Sequence, residues 1–291
     1  MHIRKEVWGI LSVFILPAGL MAQGLNVAKI DEALGRSGTR LGEVYKLGFP
    51  RTDLHVTLDG VVLRPGLALG SWAAFAGSDT NATVMGDLVL LQSEVNSVMA
   101  NLRASGFEIT AVHNHLLNES PHVMYMHYMG HGTATDLAKS LHSALELTKT
   151  PLGKPAPPAK VPEPDFAKKV EDVLGRKGNF NGVVLAFGIP RAEAVRSGDM
   201  TVPPPMGVAQ SINFQEAGAA RVAATGDFVL IAEEVNPVIS ALEEHHIQIT
   251  ALHNHMLNDE PRSFFMHFWG LGPVASVAEG IKAALEKVHI Q

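Results

Sequence analysis

"MGDLVLLQSEVNSVMANL", residues 85–102, returns as "TGDFVLIAEEVNPVISAL", residues 225–242. The offset is 140, and it recurs elsewhere. "IDEALGRSGT" at 30 pairs with "VEDVLGRKGN" at 170, and "GFPR" at 48 with "GIPR" at 188. Residues 84–130 align with 224–270 without a gap, with 21 identities in 47 positions. A period of this length is a duplicated domain rather than a solenoid unit. Between the copies lies "KTPLGKPAPPAKVPEPD", residues 149–165, rich in proline and poor in aliphatics, which reads as an extended linker. The chain therefore divides into lobe 1 (25–148), linker (149–165) and lobe 2 (166–291). The lobes are expected to pack about a pseudo-two-fold axis.

Within one copy, "VAKIDEALGR" has helical spacing, and "GEVYKLGF" and "LHVTLDGVVL" are strand-like with a tight turn at "DG". "SWAAFAG" and "GDLVLL" read as further strands. "SEVNSVMANLRASG" reads as a helix capped by Ser93 and stopped at Gly106. "FEITAVHNH" reads as a strand, "LLNESP" as a loop, "HVMYMHYMG" as a second strand and "ATDLAKSLHSALELT" as an amphipathic helix. This order predicts an α+β protein of two tandem pseudo-repeated lobes, each a largely antiparallel sheet with packed helices.

The repeat carries chemistry. "HNHLLNESPHVMYMH" (113–127) and "HNHMLNDEPRSFFMH" (253–267) place His113, His115 and His127 in one copy and His253, His255 and His267 in the other. Strand alternation predicts Ile109, Ala111, His113 and His115 on one face. If the next strand folds back, His127 comes alongside them. Three imidazoles on neighbouring strands suit Zn, Fe, Cu or Ni and leave a coordination position open. Glu119 and Asp259 are candidate further ligands or loop stabilisers. Their H-x-H-x-x-x-E/D order resembles the first metal motif of cupins, but the cupin glycines and later histidine strand do not follow. Glu94 and Glu234 read as favourable charges at helix N-termini. Asp87 and Asp227, each after a glycine, read as turn residues. His122, His131, His142, His245 and His246 lack counterparts and read as local or surface residues. Arg51 and Arg191 match and read as buried salt-bridge formers, whereas Asp53 and His55 do not recur. Either the first lobe carries extra chemistry there or the second has lost a hairpin.

Several functions are disfavoured. A net charge of -6 gives no reason to expect nucleic-acid binding. The absence of cysteine removes disulfides, thiolate sites and a lipidated cysteine. No phosphate loop, dinucleotide fingerprint or G-x-S-x-G elbow is present. The letters "HNH" stand for widely spaced residues in HNH nucleases, not adjacent ones. At the amino terminus, Arg4 and Lys5, an apolar run from Val7 to about Leu16 and small residues to Ala22 give the layout of a secretory signal peptide over residues 1–22. A periplasmic or secreted protein is expected, without stable membrane insertion after cleavage.

The duplicated "GDLVL…EVN…L" followed by "HNH-x-L-N" and "M-H", with "FPRTDLHVTLDGVVLRPGLALGSWAAF" at 49–75, resembles the bacterial LppY/LpqO family of exported proteins of unknown function. The resemblance covers nearly all of the chain beyond residue 22 and implies export but no reaction. Named members are lipoproteins, whereas this chain has no cysteine to lipidate. The residues themselves favour a protein that binds a metal ion or small ligand. The alternatives are a metal-dependent hydrolase or oxidoreductase with an open coordination position, or purely structural histidines.

Overall fold

A computed structural model of the chain describes residues 24–154 and 161–291. The expected signal peptide lies outside these residues. Lobe 1 runs α1 (Val27–Leu34), β1 (Thr39–Leu41), β2 (Val44–Pro50), β3 (Thr57–Leu58), β4 (Val61–Val62), α2 (Pro65–Ala68), β5 (Gly70–Gly77), β6 (Ala82–Leu91), α3 (Val95–Ala104), β7 (Glu108–His113), β8 (Val123–Gly132) and α4 (Ala134–Leu145). Lobe 2 repeats it as α5 (Asp165–Leu174), β9 (Asn179–Phe180), β10 (Val184–Pro190), β11 (Arg196–Ser197), β12 (Met200–Thr201), a 3-10 turn (Pro204–Met206), β13 (Ala209–Glu216), β14 (Arg221–Leu230), α6 (Ala232–Glu244), β15 (Gln248–His253), β16 (Asp259–Glu260), β17 (Phe264–Pro273) and α7 (Val274–Leu285).

Each lobe holds one six-stranded antiparallel sheet, ordered β1-β2-β5-β6-β8-β7 and β9-β10-β13-β14-β17-β15. Side-chain alternation divides every long strand between two cores. On β8, Met126 and Tyr128 face α3 and α4, and on β17, Met266 and Phe268 face α6 and α7. The opposite faces meet at the lobe interface. There Val123 and Tyr125 pack with Ala223 and Trp269, and Met129 packs with Val229 and Phe265.

Each lobe sends an arm onto the other. The β3–β4 hairpin turns through Asp59 (φ 49°) and Gly60 (φ 77°), as a two-residue turn with both central φ angles positive requires. Its Leu58 and Val61, with Leu67 of α2, pack on Val184, Ala223 and Trp269 of lobe 2. Reciprocally, Val195, Val202 and Met206 pack on Val44, Ala74 and Met85 of lobe 1. Lobe 2 therefore has not lost its hairpin. β11 and β12 form it around Gly198, a positive-φ glycine.

Three local expectations need correction. The N-cap position of α3 is Glu94 rather than Ser93, and its side chain makes no cap hydrogen bond to the helix but accepts the Leu91 N–H before it at 2.8 Å. A bulge between Ile109 and Ala111 puts Ile109 on the helix-packed face, while Ala111 and His113 face the lobe interface. His115 lies beyond the end of β7, in the loop, not on the strand.

Candidate metal centre

The two histidine triplets converge on the pseudo-two-fold axis. His113 stacks on His253 with ring centroids 3.5 Å apart. His115 stacks on His267 at 3.6 Å, and His127 lies tilted by 30° against His255 at 3.7 Å. Moving by 140 residues exchanges the last two pairs and maps the first onto itself, so the axis passes between His113 and His253. The outer rings are backed by equivalent aromatics, His115 by Tyr125 at 3.3 Å and His255 by Phe265 at 3.4 Å.

Within lobe 1, ligand atoms of His113, His115 and His127 lie within 4.8 Å of one another. In lobe 2 the same holds for His253, His255, His267 and also Asp227. Asp227 is 3.1 Å from His255 Nε2 and 3.9 Å from His267 Nε2. Asp87 holds the corresponding place, 3.5 Å from His115 Nε2 and 3.9 Å from His127 Nε2. An ion with bonds of roughly 2.0–2.2 Å sets tetrahedral donor atoms about 3.3–3.6 Å apart. The carboxylate–imidazole separations bracket that range.

Asp87 and Asp227 are not turn residues. They stand mid-strand on β6 and β14, paired with His127 and His267. The preceding glycines have a steric reason. A Cβ at Gly86 would collide with the Tyr128 hydroxyl and the Trp72 carbonyl, and one at Gly226 with the Ser211 carbonyl. The readable signal was parity: Met85, Asp87 and Val89 alternate onto one face, as do Thr225, Asp227 and Val229.

Burial governs the protonation of the cluster. Desolvation holds His253, His255 and His267 at about 3, and lowers His113, His115 and His127 well below the usual range. The imidazoles are therefore neutral, the form that ligates metals. Desolvation raises Asp87 to about 8, with Asp227 adding repulsion, and raises Asp227 to about 7. Several Nδ1 atoms already have partners: His267 with the Gly226 carbonyl at 2.7 Å, His255 with Gly207 at 3.3 Å and His253 with Asn254 at 3.1 Å. The Nε2 atoms of all six histidines, with one oxygen each of Asp87 and Asp227, are buried without a partner. Buried polar atoms in folded proteins are rarely left so.

Glu119 and Asp259 join neither donor group. Their carboxylates bond within the loop itself, although Glu119 Oε2 is left buried without a partner. Glu119 accepts the Val123 N–H at 3.1 Å and meets His122 Nδ1 at 2.6 Å. Asp259 accepts the Ser263 N–H at 2.6 Å and pairs with Arg262 at 3.0 Å. His122 thus does have a counterpart, the cation at 262. His131 and His246 are exposed, while His142 and His245 are half-buried on helix surfaces away from the cluster.

The middle letter of H-N-H ties the lobes together. Asn114 Nδ2 donates at 2.9 Å to the Thr250 carbonyl and to its own Leu116 carbonyl. Asn254 Nδ2 donates at 2.9 Å to the Thr110 carbonyl and at 3.1 Å to Met256. Below the site, Arg51 is fully buried and bonds to Glu94 at 2.8 Å, Asp53 at 2.9 Å and the Val89 carbonyl at 2.7 Å. Arg191 repeats this with Glu234 at 2.6 Å, Glu193 at 2.9 Å and Val229 at 2.7 Å. Asp53 therefore recurs in role as Glu193. His55 is exposed.

Fold and site define a duplicated α+β protein whose two sheets enclose a histidine–aspartate cluster. The chain belongs to the family described as Domain of Unknown Function (DUF1259), whose model matches residues 28–147 and 168–287. No curated protein matches. Among solved structures the chain is similar to a trimeric bacterial microcompartment shell protein, PduB, with 9% identity over 87% of this chain and 89% of that one, at a TM-score of 0.23. It is also similar to EtuB from Clostridium kluyveri, with 11% identity over 86% and 88%, at a TM-score of 0.20. At those scores neither likeness bears on the fold or the site.

Proposed function

We propose that this chain binds transition-metal ions at the lobe interface, one ion per lobe. Asp87, His113, His115 and His127 hold the first, and Asp227, His253, His255 and His267 the second. The observation that carries this reading is the set of orphaned donors: six buried Nε2 atoms and two carboxylate oxygens without partners. Purely structural histidines would spend those atoms on hydrogen bonds. The donor set, nitrogen and carboxylate without sulfur, suits Zn, Fe, Cu or Ni. The backbone carbonyls on Nδ1 of His255 and His267 supply the orienting contacts such ligands need.

A cavity opening onto both donor sets supports a second reading, a metal-dependent hydrolase or oxidoreductase. The basic and apolar amino terminus supports export to the periplasm or beyond, and the paired motifs support membership in the LppY/LpqO group. Among the described residues no helix is long and apolar enough to cross a membrane. Export is tested by the intact mass of protein recovered outside the cytoplasm, where a chain still starting at Met1 contradicts it. The metal reading is tested by elemental analysis of protein purified without an affinity tag. Catalysis is tested with ester, phosphoester and peroxide substrates, with turnover required to vanish when the metal is removed.

A further inference from the structure

Resting on the metal reading, the lobe interface holds a second feature that the duplication does not explain. One cavity of about 500 Å³ is shared by both donor sets. Asp87, His115 and His127 line it from one lobe, and Asp227, His255 and His267 from the other. Among the described residues, Lys46 is the only lysine or arginine on its wall. The Lys46 ammonium donates to the Pro205 carbonyl at 2.8 Å and stands 4.1 Å over the Trp72 ring. In the matching register of lobe 2, Ala186 stands in the place of Lys46 and Ser211, paired with Asp227 as Trp72 is with Asp87, in the place of Trp72. The two-fold symmetry is thus broken on the cavity wall, where a cation and an aromatic ring come from lobe 1 alone.

Charge counting gives the consequence. With neutral imidazoles, two divalent ions and Lys46 outweigh Asp87 and Asp227. The filled site carries excess positive charge among donor side chains that are themselves buried, where uncompensated charge is costly. Much of the remaining wall is apolar, with Pro65, Leu67 and Pro204 among its residues. The volume falls in the range of small-molecule sites. We infer that the cavity binds a small organic oxyanion, a carboxylate or phosphate ester. Its charged end lies between Lys46 and the metal-binding residues, and its apolar body lies against Trp72. Lys46 and Trp72 fix the ligand's orientation, because lobe 2 offers no equivalent pair.

The test is calorimetric titration of the full chain, loaded with zinc and freed of excess metal, with phenyl phosphate, benzoate and the uncharged benzyl alcohol. Lys46→Met, Lys46→Arg and Trp72→Leu are compared with the parent, and zinc content is measured on every sample. The expected result is saturable binding of at least one anion and none of the alcohol. Lys46→Met weakens that binding by about tenfold or more, Lys46→Arg largely retains it, and zinc content is unchanged in all variants. Phenyl phosphate bound without benzoate assigns the site to phosphate esters, and the converse to carboxylates. Zinc-loaded parent that binds neither anion, binds the alcohol equally well, or is insensitive to both Lys46→Met and Trp72→Leu overturns the inference while leaving the metal reading intact. A parent that retains no zinc overturns the metal reading itself and this inference with it.

Discussion

The ligand loops and the cavity walls of the two lobes have diverged differently. In the loops, Glu119 with His122 becomes Asp259 with Arg262, yet a nitrogen of the residue three positions on meets the carboxylate in both. Beneath them, Asp53 becomes Glu193 and still meets the buried arginine. On the cavity wall, Lys46 and Trp72 give way to Ala186 and Ser211, with no such compensation. Changes that keep a partnership are the signature of a geometry under constraint. On the metal reading proposed above, the eight donors need that geometry in both lobes. The wall does not need to be symmetric, so it is where the halves are free to specialise.

The equivalence of the two scaffolds breaks most sharply at the buried arginines. Arg51→Met and Arg191→Met each strand a buried glutamate, and loss of one partner from such a pair costs about 3–5 kcal/mol. Urea denaturation is expected to show similar losses for both. A tolerated substitution in one lobe would mean the triads are not equivalent. Next in size are Asn114→Ala and Asn254→Ala, each removing two hydrogen bonds to backbone carbonyls, about 1–3 kcal/mol. The double variant should also weaken metal binding in both lobes, read by competition with a chromophoric chelator. Unchanged affinity would show that the lobes hold their sites independently.

Acid sharpens the comparison between histidines and aspartates. The folded-state histidines are depressed, so between about 6.5 and 3 the unfolded chain binds more protons and stability falls as pH falls. The raised aspartates act oppositely, losing stability as pH rises toward about 7 and 8. Six groups outweigh two, so the melting temperature of metal-free protein should drop from pH 6.5 to pH 4. A flat or rising profile would contradict neutral, buried imidazoles. The smallest effect is expected at the loop pairs. Glu119→Gln and Asp259→Asn leave half-exposed partners, and losses of roughly 1 kcal/mol or less should appear in thermal melts.

Much of this was legible in sequence because duplication doubles the signal. Periodicity and turn chemistry placed the helices, the strands and the "DG" hairpin, and recurrence singled out the six histidines. Asp87 and Asp227 were hidden because a glycine–aspartate pair is ordinary turn chemistry. Only the register of β6 against β8 shows that glycine there makes room for Tyr128 and Trp72. The bulge after Ile109 was invisible because it changes no residue type. The roles of Asn114, Lys46 and Trp72 depend on contacts across the lobe interface, which no window of sequence contains.

The central claim is that each lobe supplies three histidines and one aspartate to an ion. Elemental analysis of untagged protein, alongside His127→Ala and His267→Ala variants checked for fold by circular dichroism, tests it most directly. The account predicts about two equivalents of metal per chain, with at least one lost in each variant while the fold persists. Parent protein with no stoichiometric metal, or folded variants with the parent's full content, would contradict it.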